Sequence, residues 1–244
     1  MKSILAEKLH LKYQPAAVIF TDEKPEDAQE FKPGKWGCNM GLMNNVIKKG
    51  KTAVFGRETF GCIGGQGGLC LGDSYDTFPG GFGYFLSYGR GEGYPEGERY
   101  QKDPESTERF RQALGIKDID YKYVVYKPLS KTDESENVIA VVFYVNPDQL
   151  SACVVLANFR GTLDNVRMPF GAGCHSMTLA AYNESLKEEP KAIAGMTDIT
   201  VRPMADPDML MFTMPLKRFN IMEEDAPESF LELESWKKLI PRFE

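Results

Sequence analysis

Short, strongly apolar runs alternate along the chain with polar segments broken by glycine and proline. The runs at 16–21 (AAVIFT), 52–56 (TAVFG), 121–128 (YKYVVYKP) and 138–145 (VIAVVFYV) predict strands. Each is rich in β-branched or aromatic residues and bounded by turn formers. Residues 193–201 and 210–215 are two further strand candidates. Helical spacing predicts helices over 3–10, from Cys38 to Lys49 with Gly50 closing it, and over 104–115. NPDQL opens another, with Asn146 as N-cap, Pro147 at the first position and Gln149 completing a capping box; it runs to about Phe159. A helix from about Cys174 and a last amphipathic one over roughly 228–239 complete the set.

The order of strands and helices is mixed, so the expected class is α/β or α+β: a mixed sheet with helices packed on it. A length of 244 residues fits a single domain with a real core. Two halves, about 1–120 and 121–244, each show an apolar strand, then a Gly-Cys dipeptide opening a helix, then another strand. That hints at a two-fold internal duplication. Twelve of the 23 glycines fall between Gly61 and Gly93, interleaved with aromatics. Ordering glycine is costly, so 61–94 reads as an insertion or lid fitted closely around something.

Net charge is −6, which leaves no basic surface for nucleic acid. No run approaches the ~18–20 apolar residues of a membrane span. The opening MKSILAEKLHLKY is too short and too interrupted by charge for a signal peptide. A cytoplasmic protein with no membrane partner is expected, and its oligomeric state stays open.

Five cysteines without secretion argue against a disulfide framework. Three follow glycine at a loop-to-helix junction: Gly37-Cys38, Gly61-Cys62 and Gly173-Cys174. At a helix N-terminus the free N–H groups favour a thiolate, the form that binds metal or attacks substrate. A preceding glycine lets backbone approach a bulky group and leaves N–H groups for cluster sulfides. Cys153, in SACVVLANF, reads as a buried core residue. Cys70 is ambiguous. Were 62–70 helical, its sulfur would stand roughly 12 Å from that of Cys62 along the axis; were the helix broken, both could serve. Three unrelated buried thiols remain the plain alternative.

Other chemistries find little support. Gly50-Lys51-Thr52 has Asn at position 45 and follows a helix, so it is no phosphate loop. The dinucleotide pattern fails because position 70 is cysteine. Adjacent residues on a helix diverge by about 100°, so Cys174 and His175 make no nucleophile pair by themselves, and His10 packs or caps the first helix. The pair Glu223-Glu224 reads as solvated surface, and Arg57, Arg90 and Arg202 as surface or paired residues. Met204, Met209, Met211 and Met214 suit a core strand better than a copper site.

At the three Gly-Cys sites the chain resembles an uncharacterised prokaryotic family called ArCR, a domain of unknown function common in anaerobes. The matching features are the Cys38 helix ending in Gly50-Lys51, the strand leading to GCIGG and on to Leu71-Gly72, and GAGC before a helix. The resemblance spans most of the chain; Cys70 and the aromatic-glycine stretch 78–94 are its unusual parts. It brings no established activity. It implies that Cys38, Cys62 and Cys174 belong together, in an anaerobic setting that favours an oxygen-sensitive centre.

The leading expectation is an iron–sulfur protein with a redox, cluster-carrier or sensing role. Cys38, Cys62 and Cys174 would hold a cluster, 4Fe-4S above others, with Cys70 as a possible fourth ligand and 78–94 as cover. Partners would be an electron-transfer protein or a small-molecule substrate. Two alternatives stand beside it. One is a metal-free small-molecule module lined by Tyr84, Phe85, Tyr88 and Tyr94. The other is a structural zinc site at the same cysteines.

Overall fold

A computed structural model describes residues 1–243. Among them a seven-stranded mixed sheet carries nine α-helices, an α+β fold. The strands are β1 (Ala16–Thr21), β2 (Ala53–Gly56), β3 (Tyr123–Pro128), β4 (Val138–Val145), β5 (Val166–Arg167), β6 (Ala192–Gly195) and β7 (Leu210–Pro215). Their order across the sheet is β2-β3-β1-β4-β7-β6-β5. All neighbours are antiparallel except β5 and β6.

Outward from the central β1/β4 pair, β3 then β2 flank one side and β7 then β6 the other. The second half also carries α6 (Pro147–Ala157) and β5, which have no counterpart in the first. The pattern therefore does not establish a duplication.

The central strands are buried on both faces, which is why they read as continuous apolar runs. Ala16, Val18 and Phe20 enter one core; Ala17 and Ile19 enter the other. Ala140, Val142 and Tyr144 of β4 share the first core, and Val141, Phe143 and Val145 the second. The first face is covered by α2 (Asn39–Lys49) and by a helix that starts at Gly173, passes through a π-helical turn (His175–Leu179) and continues as α7 (Ala180–Ser185). The second is covered by α1 (Ile4–Lys8), α6, α8 (Leu216–Asp225) and α9 (Glu234–Lys237). A third, small core joins Tyr75, Phe82 and Leu86 to α5 (Pro104–Leu114). It builds α4 (Phe82–Leu86) into a cover beside the first face.

Local chemistry sets the helix ends as the sequence indicates. Gly50 and Gly115 close α2 and α5 in the left-handed conformation, at φ 64° and 62°. Asn146 and Gln149 form the reciprocal capping box.

Two expectations are corrected. The strand predicted over 193–201 ends at Gly195, because Met196 turns into the left-handed region at φ 71°. Residues 197–201 are loop and turn instead. The helix predicted over 228–239 is broken at Ser229 and Leu233, both extended, leaving only α9 helical between short 3-10 turns. The long helix of this region is α8, which follows β7 directly from Pro215.

No helix is long and apolar enough to cross a membrane among the described residues.

Candidate functional site

Three separated segments meet at one end of the first core, and each brings a Gly-Cys dipeptide. Cys38 caps α2, Cys62 caps α3 (Ile63–Gly68), and Cys174 lies in the first turn of the helix leading into α7. All three line one cavity of about 410 Å³. The glycines permit this approach. A side chain on Gly61, which sits at φ 86°, would strike the carbonyl of Gly37, so the first two dipeptides cross backbone to backbone. One on Gly173 would strike the sulfur of Met40, and one on Gly68 the sulfur of Cys174.

Backbone groups meet two of the sulfurs. The N–H of Gly65 donates to Cys62 Sγ at 3.2 Å. Cys38 makes no side-chain cap hydrogen bond, and the N–H of Gly41 donates instead to its carbonyl at 3.0 Å. Cys174 Sγ donates to the carbonyl of Gly64 at 3.6 Å. The π-helical turn immediately after Cys174 widens the helix where it meets the cavity, a distortion frequent at functional sites.

Helix N-termini were expected to lower these thiol pKa values; the free thiols show the reverse. Burial pushes Cys38 and Cys62 up, and backbone N–H groups offset only part of the rise. Cys174 is pushed well above its ordinary value, by burial first and then by Cys62 and Cys38. Three neutral thiols can share this wall. Three thiolates can share it only beside compensating positive charge. Free-thiolate nucleophilic chemistry is therefore disfavoured.

Cys70 does not join the set. It is fully buried in the first core, at φ 61°, and does not line the cavity; burial raises its pKa to about 12. The helix α3 ends at Gly68, so 62–70 is not one continuous helix; Cys70 nonetheless turns into the core instead of the cavity. Cys153 lies in the second core, across the sheet. Among the described residues, no three His, Cys, Asp or Glu side chains stand close enough to hold a single metal ion.

The remaining walls are aromatic. Phe78 stacks on Phe85 at 4.3 Å between centroids, Tyr75 on Phe82 at 4.0 Å, and Phe110 lies 5.2 Å from Phe170. Of the four aromatics expected in a ligand pocket, only Phe85 lines the cavity. Tyr88 and Tyr94 are exposed, and Arg90 lies over Tyr84 and Tyr94. Trp36 stands exposed at the mouth.

Sequence reasoning did not find the polar groups of the cavity. Asn39 is buried, and neither side-chain atom has a hydrogen-bond partner. His175 Nε2 lies 2.9 Å from the Tyr75 hydroxyl, and its Nδ1 is unpaired. Burial lowers the His175 pKa to about 4, so the ring is neutral. Glu98 and Asp198 also line the cavity. Asp198 accepts from the N–H and hydroxyl of Thr200 and from Tyr100. Asp198 was hidden by the strand expected over its loop, although D-x-T is a side-chain-to-backbone turn signal. Glu98, in a charged stretch, carried no signal. Arg57 and Arg202 are taken up by Asp118 and by backbone carbonyls. Met209, Met211 and Met214 are core residues.

The family described as uncharacterised ArCR matches residues 4–225, and the chain belongs to it. No curated protein and no solved structure matches the chain.

Proposed function

We propose that this ArCR-family protein is a cytoplasmic iron–sulfur protein of an anaerobic prokaryote whose centre meets a small molecule. Cys38, Cys62 and Cys174 would hold a 4Fe-4S cluster. One observation carries the reading: three cysteines from three distant segments line one cavity, and the N–H of Gly65 donates to Cys62 Sγ within it. N–H bonds to sulfur are the protein's usual lever on such clusters. Burial holds the free thiols protonated, so cluster iron would supply the charge that makes them thiolates.

With Cys70 turned into the core, three cysteines leave one iron without a protein sulfur, and that iron would face the aromatic cavity. The cavity favours a redox or sensing role at a bound molecule over simple cluster carriage. An electron-transfer protein remains the natural redox partner. Zinc is supported less well. A tetrahedral zinc with bonds near ~2.3 Å draws its sulfurs within about 4 Å of one another, and no such donor set is assembled among the described residues. A metal-free binding module is the second reading, favoured by the cavity itself.

Single Cys→Ser variants purified without oxygen test the assignment through iron content. Cys38→Ser, Cys62→Ser and Cys174→Ser should each lose most of the iron, and Cys70→Ser should keep it. Full iron in both Cys62→Ser and Cys174→Ser would overturn the site.

A further inference from the structure

The cavity that the three cysteines line also carries two acids. Glu98 and Asp198 both line it, and no lysine or arginine does. Glu98 is half-buried, and among the described residues its carboxyl has neither an ion-pair partner nor a hydrogen bond. Its backbone N–H is tied to the carbonyl of Phe85 at 2.8 Å, which fixes the residue at the cavity. Phe78, Phe82, Phe85, Tyr100, Phe110 and Phe170 line the same cavity. Tyr100 and Phe170 meet edge to face at 5.4 Å, beside the carboxylate that Tyr100 hydrogen-bonds.

An apolar cavity is a poor place for the unpaired Glu98 carboxyl, with Asp198 a second acid near it, unless something of opposite charge enters. Aromatic faces attract cations through their quadrupole, most strongly where water is excluded. An independent sign of a ligand is Asn39. It is 2 % exposed, lines the same cavity, and has both amide atoms unpartnered. A buried amide of that kind calls for a partner, a bound group or an ordered water.

We propose that the cavity binds a small organic cation, an amine or quaternary ammonium with an apolar body. Glu98 and Asp198 supply the counter-charge and the aromatic rings supply the cage. Asn39 gives one donor and one acceptor to a polar group at the inner end. Phosphorylated, carboxylated and nucleotide ligands are disfavoured, because no cationic side chain would meet them. The burial that raises the Glu98 pKa to about 7, with Asp198 as a second cause, is consistent with a carboxyl waiting for a cation. This inference rests on Glu98, Asp198, Asn39 and the aromatic rings, and does not require the cluster.

The test compares choline with 3,3-dimethylbutan-1-ol, its neutral carbon isostere, and with benzoate, by calorimetry on the full chain purified without oxygen. Choline should bind roughly tenfold or more tighter than the isostere, and benzoate should not compete. Glu98→Gln should weaken choline and leave the isostere unchanged. Equal binding of choline and isostere, no choline binding, preference for benzoate, or an unchanged Glu98→Gln protein would each overturn the proposal. Iron content does not enter this readout, so failure here and failure of the cluster reading are separately visible.

Discussion

The sulfur of Cys174 lies against the backbone of Gly68, in the space that a side chain at position 68 would occupy. Two segments more than a hundred residues apart are thus packed through an absent Cβ. The glycines of GCIGGQGGLCLGD serve this close approach: Gly61 against Gly37, Gly65 against Asn39, Gly68 against Cys174.

Gly68→Ala should therefore destabilise the fold by about 1–3 kcal/mol through overpacking, and displace Cys174. Gly64→Ala is the control. Its added carbon would meet nothing nearer than the Tyr75 hydroxyl at 3.8 Å, and alanine is the better helix former by ~0.5–1 kcal/mol. Denaturant melts of both variants should move in opposite directions. Equal melts would show that the Cys174–Gly68 contact is not tight.

The five thiols should differ in accessibility in metal-free protein. Cys38 and Cys62 are only partly buried, whereas Cys70, Cys153 and Cys174 are buried. Brief alkylation of the native protein followed by peptide mass spectrometry should modify Cys38 and Cys62 first. All five pKa values are raised by burial, so the rate should climb with pH above the usual thiol range. Early labelling of Cys153 would contradict its place on the buried face of α6.

Glu98 makes a signed prediction in pH. Its pKa rises from 4.5 to about 7 on folding, so the folded state holds the proton more tightly. Its contribution to stability is full below about pH 4.5 and lost as pH rises through about 7. The titratable groups around it are Asp198 and Tyr100. Glu98→Gln should flatten this segment of the stability profile, and an unchanged slope would exclude burial of Glu98 as its cause.

Glu184 behaves oppositely. It is buried near the end of the helix that begins beside Cys174, and it accepts hydrogen bonds from Arg167, Lys187 and the N–H of Lys191. Burial alone would raise its pKa; Lys187, Arg167 and the Lys191 N–H outweigh it and hold the carboxyl below its usual range. That stabilisation is present above the unfolded value of ~4.5 and fades as pH falls through the folded one. Glu184→Gln should cost about 1–2 kcal/mol at neutral pH, since both cationic partners are half in water. The cost should shrink in acid, and thermal melts at two pH values read it directly.

What the sequence reveals follows its local physics. β1 and β4 are legible to the residue because both faces are apolar and turn formers bound them. α6 is legible from its capping box. The three Gly-Cys junctions are legible because each combines a conformational need with a helix start. α3 is not, since four of its six residues are glycine, the poorest helix former after proline; only its packing under the Cys174 helix supports it. The loop carrying Asp198 is obscured by the apolar run before it, which ends at the left-handed Met196. Glu98 and Asn39 gain their meaning solely from tertiary burial, which no local pattern records.

The central claim is tested most directly by iron and acid-labile sulfide analysis of protein purified without oxygen, with a visible spectrum of the same sample. The account predicts about four of each per chain and a broad band that fades on reduction. Zinc without sulfide, or neither metal nor sulfide under strict exclusion of oxygen, would contradict it.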